Sequence, residues 1–412
     1  MRHAENTTDS ALSNWLILLM ATTTGLVVAS NYYAQPLLHT ISDQLGLSYA
    51  RAGIIVTVAQ ASYALGLILL VPLGDLVERR RLIVTMMLFA TAGLLVSATA
   101  GSLTALLIGT AITGAFSVVA QVLVPFAATL SPVAQRGKVV GTVMSGLLMG
   151  ILLARTVAGA LSSLGDWHTV YWVAAALMLL NTLALWRALP RYAQTTRMHY
   201  GQLIGSVFAQ FARYPLHRQR SLLGCLIFAM FSVLWTSLAF LLSSEPWSYS
   251  DATIGLFGLG ALSARHAGVL TDRGHGARLT VLGVVALLVS WGLLGLGGYS
   301  LIALIAGIVL LDLALQAVHI TNMNMIFNLD EAARNRLNSG YMFLYFVGGA
   351  LGSLGSAAAY QHCGWLGVCL LGGGLGVLAV GYGVWITRFS PRSQTPPGSE
   401  TYAGSPAGDP PR

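Results

Sequence analysis

The chain has 412 residues, of which 55% are apolar and only 9% charged, whereas soluble domains carry about 25% charged residues; an ordinary soluble enzyme is excluded. Mean hydropathy is +0.71, and 46 glycines suit a bundle of membrane helices that approach one another at small residues. The net charge of +8 is gathered in short arginine clusters between apolar runs, which marks membrane topology rather than a phosphate-binding face, so nucleic acid is not an expected partner.

Residues 1–14 read as a short N-terminal segment. A spanning helix needs about 20 predominantly apolar residues, because the hydrocarbon core is about 30 Å thick and each residue rises about 1.5 Å. Twelve runs meet that length: 15–38, 52–74, 82–100, 103–127, 139–163, 168–189, 221–242, 252–271, 279–298, 300–327, 338–360 and 364–387. The first is too long for a signal-peptide core and lacks a small-residue cleavage site, so it is expected as a retained helix. Barrel strands of about 10 alternating residues do not account for these runs. The expected fold is an all-α polytopic membrane protein. Six spans (15–189) and six more (221–387) flank a basic, mostly polar linker (190–220). A Pro/Gly/Ser-rich tail (388–412) has the composition of a disordered segment.

One set of loops carries the arginines: Arg79 to Arg81, Arg136 with Lys138, the linker, Arg273 with Arg278, and Arg334 with Arg336; the other set offers only Arg51, beside Asp43, Asp166, Glu245 and Asp251. Positive residues stay on the cytoplasmic side. Both termini are therefore expected there, in a multi-pass protein of the cell (inner) membrane surrounded by lipid bilayer and acting as a monomer. Cys225, Cys363 and Cys369 lie in apolar segments without ligand spacing, so neither a disulfide framework nor a metal site is expected, and no cofactor is called for.

The halves show an internal repeat. Arg136 and Lys138 return as Arg334 and Arg336 at an offset of 198, Gly150 falls on Gly348 at the same offset, and Asp75 pairs with Asp272 at 197. Two repeated halves around a midplane site is a common transporter plan. The loop after span 2 reads Pro72-Leu-Gly-Asp75-Leu-Val-Glu-Arg79-Arg-Arg81, and the loop after span 8 reads Gly268-Val-Leu-Thr-Asp272-Arg273 and continues to Arg278. Physically, such an Asp is suited to cap a helix and pair with arginines.

These two loops resemble the signature of the major facilitator superfamily, a Gly, an Asp four residues on and then basic residues; the first copy has Val71 in place of the Gly. Asn31-Tyr-Tyr-Ala-Gln35-Pro36, Gln121-Val-Leu-Val-Pro125 and Gly150-Ile-Leu-Leu-Ala-Arg155-Thr-Val-Ala-Gly159 are similar to a bacterial branch allied to drug:proton antiporters. The resemblance implies twelve transmembrane helices in two homologous six-helix halves (the major facilitator fold), with spans 1, 4, 7 and 10 lining a central cavity. It places Gln121 and His319 across that cavity, and Asp75, Arg79, Gly268, Asp272 and Arg273 in conformational gating. Two departures are Thr110, where many antiporters carry an Arg, and Arg155, where the branch carries a Pro in span 5.

Ionisable residues at membrane depth are functional candidates by default. Only Arg155 and Asp312 are charged and deep. Asp312, Gln316 and His319 recur at i, i+4 and i+7 on span 10, one helical face. Either they form a satisfied polar group between helices, or they handle substrate and protons, with Asp312 as proton carrier and His319 as relay. Arg155 reads as a counter-charge or as an anchor for an anionic substrate group. Asn31, Gln35, Gln121 and Tyr341 add amides and a phenol to the candidate pathway, although such amides also serve as packing glue. The Gly146/Gly150 and Gly348/Gly352 pairs predict close helix contact.

No Walker A pattern, H-E-x-x-H or G-x-S-x-G occurs, so neither an ATP-driven pump nor an intramembrane enzyme is expected. The expected function is a secondary transporter moving a small organic solute by alternating access, as a proton-coupled exporter; a proton-coupled importer and, beyond transport, a receptor or channel are the alternatives.

Overall fold

The computed structural model describes residues 12–192, 199–259, 276–330 and 333–389. Gly268, Asp272 and Arg273, the stretch before them with Arg265 and His266, the first eleven residues and the tail beyond Phe389 lie outside the described residues. What is described is helical, with no strand among the described residues.

Span 1 is broken. Helix α1 (Asn14–Ala29) ends after 16 residues, the chain turns, and Gln35–Leu37 form one 3₁₀ turn before α2 (Leu38–Gln44). Pro36 at the start of that turn has no amide hydrogen to donate, which favours a helix start and not a helix interior. Span 2 is α3 (Tyr49–Leu69), extended by a 3₁₀ turn Val71–Asp75. Span 3 is α4 (Arg79–Ala98), and span 4 is α5 (Leu103–Phe116) followed after a two-residue break by α6 (Val119–Leu130). Spans 5 and 6 are α7 (Arg136–Ser163) and α8 (Trp167–Ala188).

The linker holds a helix that its polar composition had suggested would be a loop. In α9 (Tyr200–Arg213) the buried residues are Leu203, Val207 and Gln210, spaced i, i+4 and i+7, so the helix lies along the surface on one face. The Tyr200 hydroxyl donates to the Leu69 carbonyl at 2.6 Å, tying it to the end of α3. Span 7, α10 (Pro215–Ser243), begins six residues before the expected boundary, with Pro215 at its first turn. His217 and Arg220, expected in a basic loop, are consequently inside a helix and buried.

The eighth span opens with α11 (Asp251–Leu256), and residues 260–275 after it lie outside the described ones. Then come α12 (Gly276–Gly295) and α13 (Leu301–Phe327). The last helical run, Arg334–Phe389, is two helices, because Gly364 at φ +57 and ψ −151 breaks it; we number them α14 (334–363) and α15 (365–389). Among the described residues nine helices are long and apolar enough to cross a membrane, and one of these covers the last two spans.

The repeat is visible in packing. A Cβ on Gly146 or Gly150 of α7 would collide with the backbone of Ala21 or Gly25 of α1, and one on Gly348 or Gly352 of α14 with the backbone of Cys225 or Ala229 of α10. Span 5 therefore packs on span 1 as span 11 packs on span 7, at the glycines singled out by sequence.

Candidate functional site

The face that carries α9 is called the linker face, and the other the far face. At the far face the halves are latched. Thr40 of α2 donates to the Asp251 carboxylate with both oxygens at 2.8 Å, and Ser162 of α7 donates to its Oδ2 at 2.8 Å. Tyr49 of α3 packs against Phe240 at 4.7 Å and Tyr360 at 5.2 Å between ring centroids, and Thr57 and Ser353 share a hydrogen bond of 2.8 Å. Gly159 lies so close to the Asp251 backbone that a Cβ would not fit. Asp251, which sequence reasoning noted only as an acidic loop residue, thus joins both halves.

At the linker face a cavity of about 70 Å³ opens between them, lined by Asp75, Arg79 and Gln121 from one half and Asn335, Arg336 and Asn338 from the other. Arg79 pairs with Asp75 at 3.7 Å, donates to the Gly74 carbonyl at 3.3 Å and to Thr129 at 3.2 Å, and stacks between Phe126 and Tyr192. Asp75 closes the 3₁₀ turn; the residue that caps α4 is Glu78, whose carboxylate accepts from the Arg80 amide at 3.1 Å. The expected pairing with arginine is present, while the expected capping belongs to the acid three residues on, because the 3₁₀ turn moves the start of α4 past Asp75.

The central cluster forms where the break in span 1 delivers Tyr32 and Gln35 to α7. Arg155 is 1% exposed and Asp312, on α13, is 2% exposed. The Arg155 Nε donates to Gln35 Oε1 at 2.7 Å. Its guanidinium carbon lies 3.9 Å from the Trp235 ring centre, 4.9 Å from that of Tyr32 and 5.4 Å from that of Phe231, a cation enclosed by aromatic faces. Its Nη1 and Nη2 have no hydrogen-bond partner, and neither oxygen of Asp312 has one. Asp312 is within electrostatic reach of Arg155, and the Trp235 indole N–H neighbours it outside hydrogen-bond geometry. Among the described residues the two charges make no ion-pair contact.

His319 Nδ1 and the Tyr341 hydroxyl are 2.9 Å apart, and the Tyr345 ring lies 4.9 Å from the imidazole. Tyr345 stacks on Phe228 at 4.0 Å, and Phe346 on Tyr63 at 4.2 Å. Gln121 Nε2 donates to the Tyr63 hydroxyl at 3.5 Å, and Gln121 Oε1 accepts from Asn338 at 3.4 Å. The polar face of α13 therefore faces an aromatic wall from α10 and α14, with half-buried Gln316 between Asp312 and His319. Asn31 stands apart, lining a small pocket inside the first half with Thr110, Thr113 and Gly114. Trp235 and Phe231, absent from the sequence-based candidates, carried no signal beyond aromatic residues in an apolar span.

A second buried arginine lies nearer the linker face. Arg220, 2% exposed, donates from Nη1 to Thr280 at 2.8 Å and to Asn322 at 3.4 Å.

Residues 20–330 match the Major Facilitator Superfamily model. The chain belongs to the major facilitator superfamily. It is 57% identical to the uncharacterized transporter YgaY of Escherichia coli over 88% of this chain and 93% of that protein, and 34% identical to a probable transporter of Streptomyces coelicolor over 89% of this chain and 86% of that one. A solved bacterial homolog of the human lysosomal transporter Spinster, in an inward-facing and unoccupied conformation, shares the fold with a TM-score of 0.76 at 15% identity, covering 91% of this chain and 96% of that chain. The all-helical major facilitator fold and a transporter of that type follow.

Proposed function

We propose that the chain is a proton-coupled exporter of a small organic solute in the inner membrane, with the linker face and both termini cytoplasmic and one chain as the working unit. The observation that carries this reading is the pair Arg155 and Asp312. One buried charge stands on each half, close enough to interact, with both Nη atoms of one and both oxygens of the other unpartnered. Unpaired buried charges are costly, so the pair is retained for what enters between them. Asp312 is also the one carboxylate deep in a span of this sequence, which makes it the group able to load and release a proton, with His319 and Tyr341 as its neighbours toward the linker face. Alternating access breaks the far-face latch at Asp251 while the linker-face cavity at Asp75 and Arg79 closes.

The test is transport in proteoliposomes of purified protein with an imposed pH gradient, screening metabolites and drugs for solute-induced proton flux. Saturable flux, with solute and protons moving in opposite directions, supports the reading. Co-directional movement assigns the importer, and flux without saturation assigns a channel. Asp312→Asn is expected to abolish gradient-driven transport; an Asp312→Asn protein that still follows the gradient removes this carboxylate from coupling.

A further inference from the structure

We propose that the solute is a small zwitterion of amino-acid type, its carboxylate held by Arg155 and its ammonium by Asp312. The inference rests on the transport reading and names the substrate class of the same site. On the Arg155 side three donor atoms stand open and buried, Nη1 and Nη2 of Arg155 and Nε2 of Gln35, whose Oε1 is already committed to Arg155. A guanidinium presents two parallel N–H groups that match a carboxylate. On the Asp312 side two acceptor oxygens stand open and buried, which suit an ammonium with its three donors. Trp235 links the two ends, its ring stacked on the guanidinium and its indole neighbouring the carboxylate, so the open donors and the open acceptors lie on either side of one side chain. Tyr32 and Phe231 also face the guanidinium and offer apolar and π surface to the rest of a ligand bound there.

Charge balance separates the candidate ligands. A monoanion satisfies Arg155 but meets an ionised Asp312; a monocation satisfies Asp312 but meets Arg155; a neutral solute brings no counter-charge to either. A zwitterion answers both poles at once and adds no net charge to a low-dielectric site, where like charges repel strongly. Because the poles stand on α7 and α13, from opposite halves, the ligand also bridges the two bodies that must move. Its ammonium occupies the carboxylate that a proton occupies on the return stroke, which makes the two alternative occupants of Asp312.

The experiment measures binding to the full-length protein in lipid nanodiscs by thermal unfolding and calorimetry. The probes are the twenty common amino acids, and for each that binds, its decarboxylated amine and its deaminated acid. The expected result is saturable binding of at least one amino acid, with both single-pole counterparts weaker by about 10-fold or more, the loss that follows from one charged hydrogen-bonded contact. Arg155→Gln should bring the amine level with the amino acid, and Asp312→Asn should do the same for the acid. If Arg155→Gln does not fold, the unmodified protein decides the matter without any variant. The proposal is overturned if no amino acid binds, or if an acid or an amine alone binds as tightly as the parent. In that second case gradient-driven uptake of the single-pole solute would leave the transport reading standing. Conversely, saturable amino-acid binding with no movement across proteoliposomes would keep the site and sink transport.

Discussion

Arg155 and Arg220 are buried to nearly the same degree, and they are used differently. Arg220 lies within the second half, and its Nη1 donates to Thr280 and Asn322, neutral acceptors from neighbouring helices of the same half, while its Nε makes no hydrogen bond. Arg155 lies at the contact between halves, gives one hydrogen bond to Gln35 and keeps two nitrogens open. The difference teaches that burial of a charge does not distinguish a residue by itself; what separates these two is how much donor capacity is left open and whether the residue sits inside one half or between the two.

The comparison is broken most sharply by exchanging the effects of the two residues. Arg155→Ala is expected to abolish solute binding and transport, at least 100-fold as read by counterflow, while the unliganded protein keeps its fold in size-exclusion chromatography. Arg220→Met should act in the opposite way. It removes the hydrogen bonds that Arg220 gives to Thr280 and Asn322, and losing one partner of a buried hydrogen bond costs about 1–3 kcal/mol, so thermal unfolding should fall by several degrees while the protein that remains folded binds normally. If Arg220→Met lost binding at unchanged stability, the contrast would collapse.

The two halves can be compared at their matching glycines. Gly150→Leu and Gly348→Leu each drive a side chain into the backbone of the partner helix, and overpacking of this kind costs about 1–3 kcal/mol. Similar losses of thermal stability at both positions are the outcome that the repeat requires; a neutral result at either would show that the two contacts are not equivalent.

The far and linker faces give a smaller contrast. Asp251→Asn weakens the acceptor that Thr40 and Ser162 share, and should raise the labelling rate of a cysteine placed on the far side of the central cluster. Asp75→Asn, in contact with Arg79, should slow transport while leaving binding intact. Equal labelling in Asp251→Asn and the parent would mean that the carboxylate does not hold the far face closed.

The mildest change expected is at Asp166, the cap of α8. Its carboxylate accepts from the His168 amide at 2.8 Å and lies 2.9 Å from the imidazole Nδ1. Partial burial pushes its pKa up, but the contacts with His168 prevail and hold it below the usual carboxylate value. A carboxyl depressed in the folded state stabilises the protein above its unfolded pKa, and that contribution is lost as the pH falls through the folded value. Asp166→Ala should therefore cost about 1 kcal/mol, the usual worth of such a cap, at neutral pH and progressively less under acid conditions, as followed by unfolding temperature against pH.

Much of this molecule was legible in the order of its residues because membrane insertion imposes a coarse rule. Apolar length gave the span positions, and the recurrence of Gly150 as Gly348 gave the symmetry that packing displays. Asp312 and Arg155 stood out because charge at depth is rare. What escaped depended on departures from straight helices. The break at Pro36 turns Gln35 onto Arg155, and no span-length argument contains that turn. The start of α10 at Pro215 carries Arg220 inward, although its basic neighbours read as loop. Trp235 and Phe231 were hidden because an aromatic residue in an apolar run looks the same whether it faces lipid, a neighbouring helix or a guanidinium.

The stacking of Trp235 on Arg155 at 3.9 Å also gives the protein an optical reporter of its own. An indole held against a cation and beside a carboxylate has its excited state shaped by both charges, so any event that separates them changes its emission. With the other eight tryptophans replaced by phenylalanine, the colour and lifetime of this one ring would record occupancy of the cluster in real time, without a dye and without knowing beforehand which molecule had arrived.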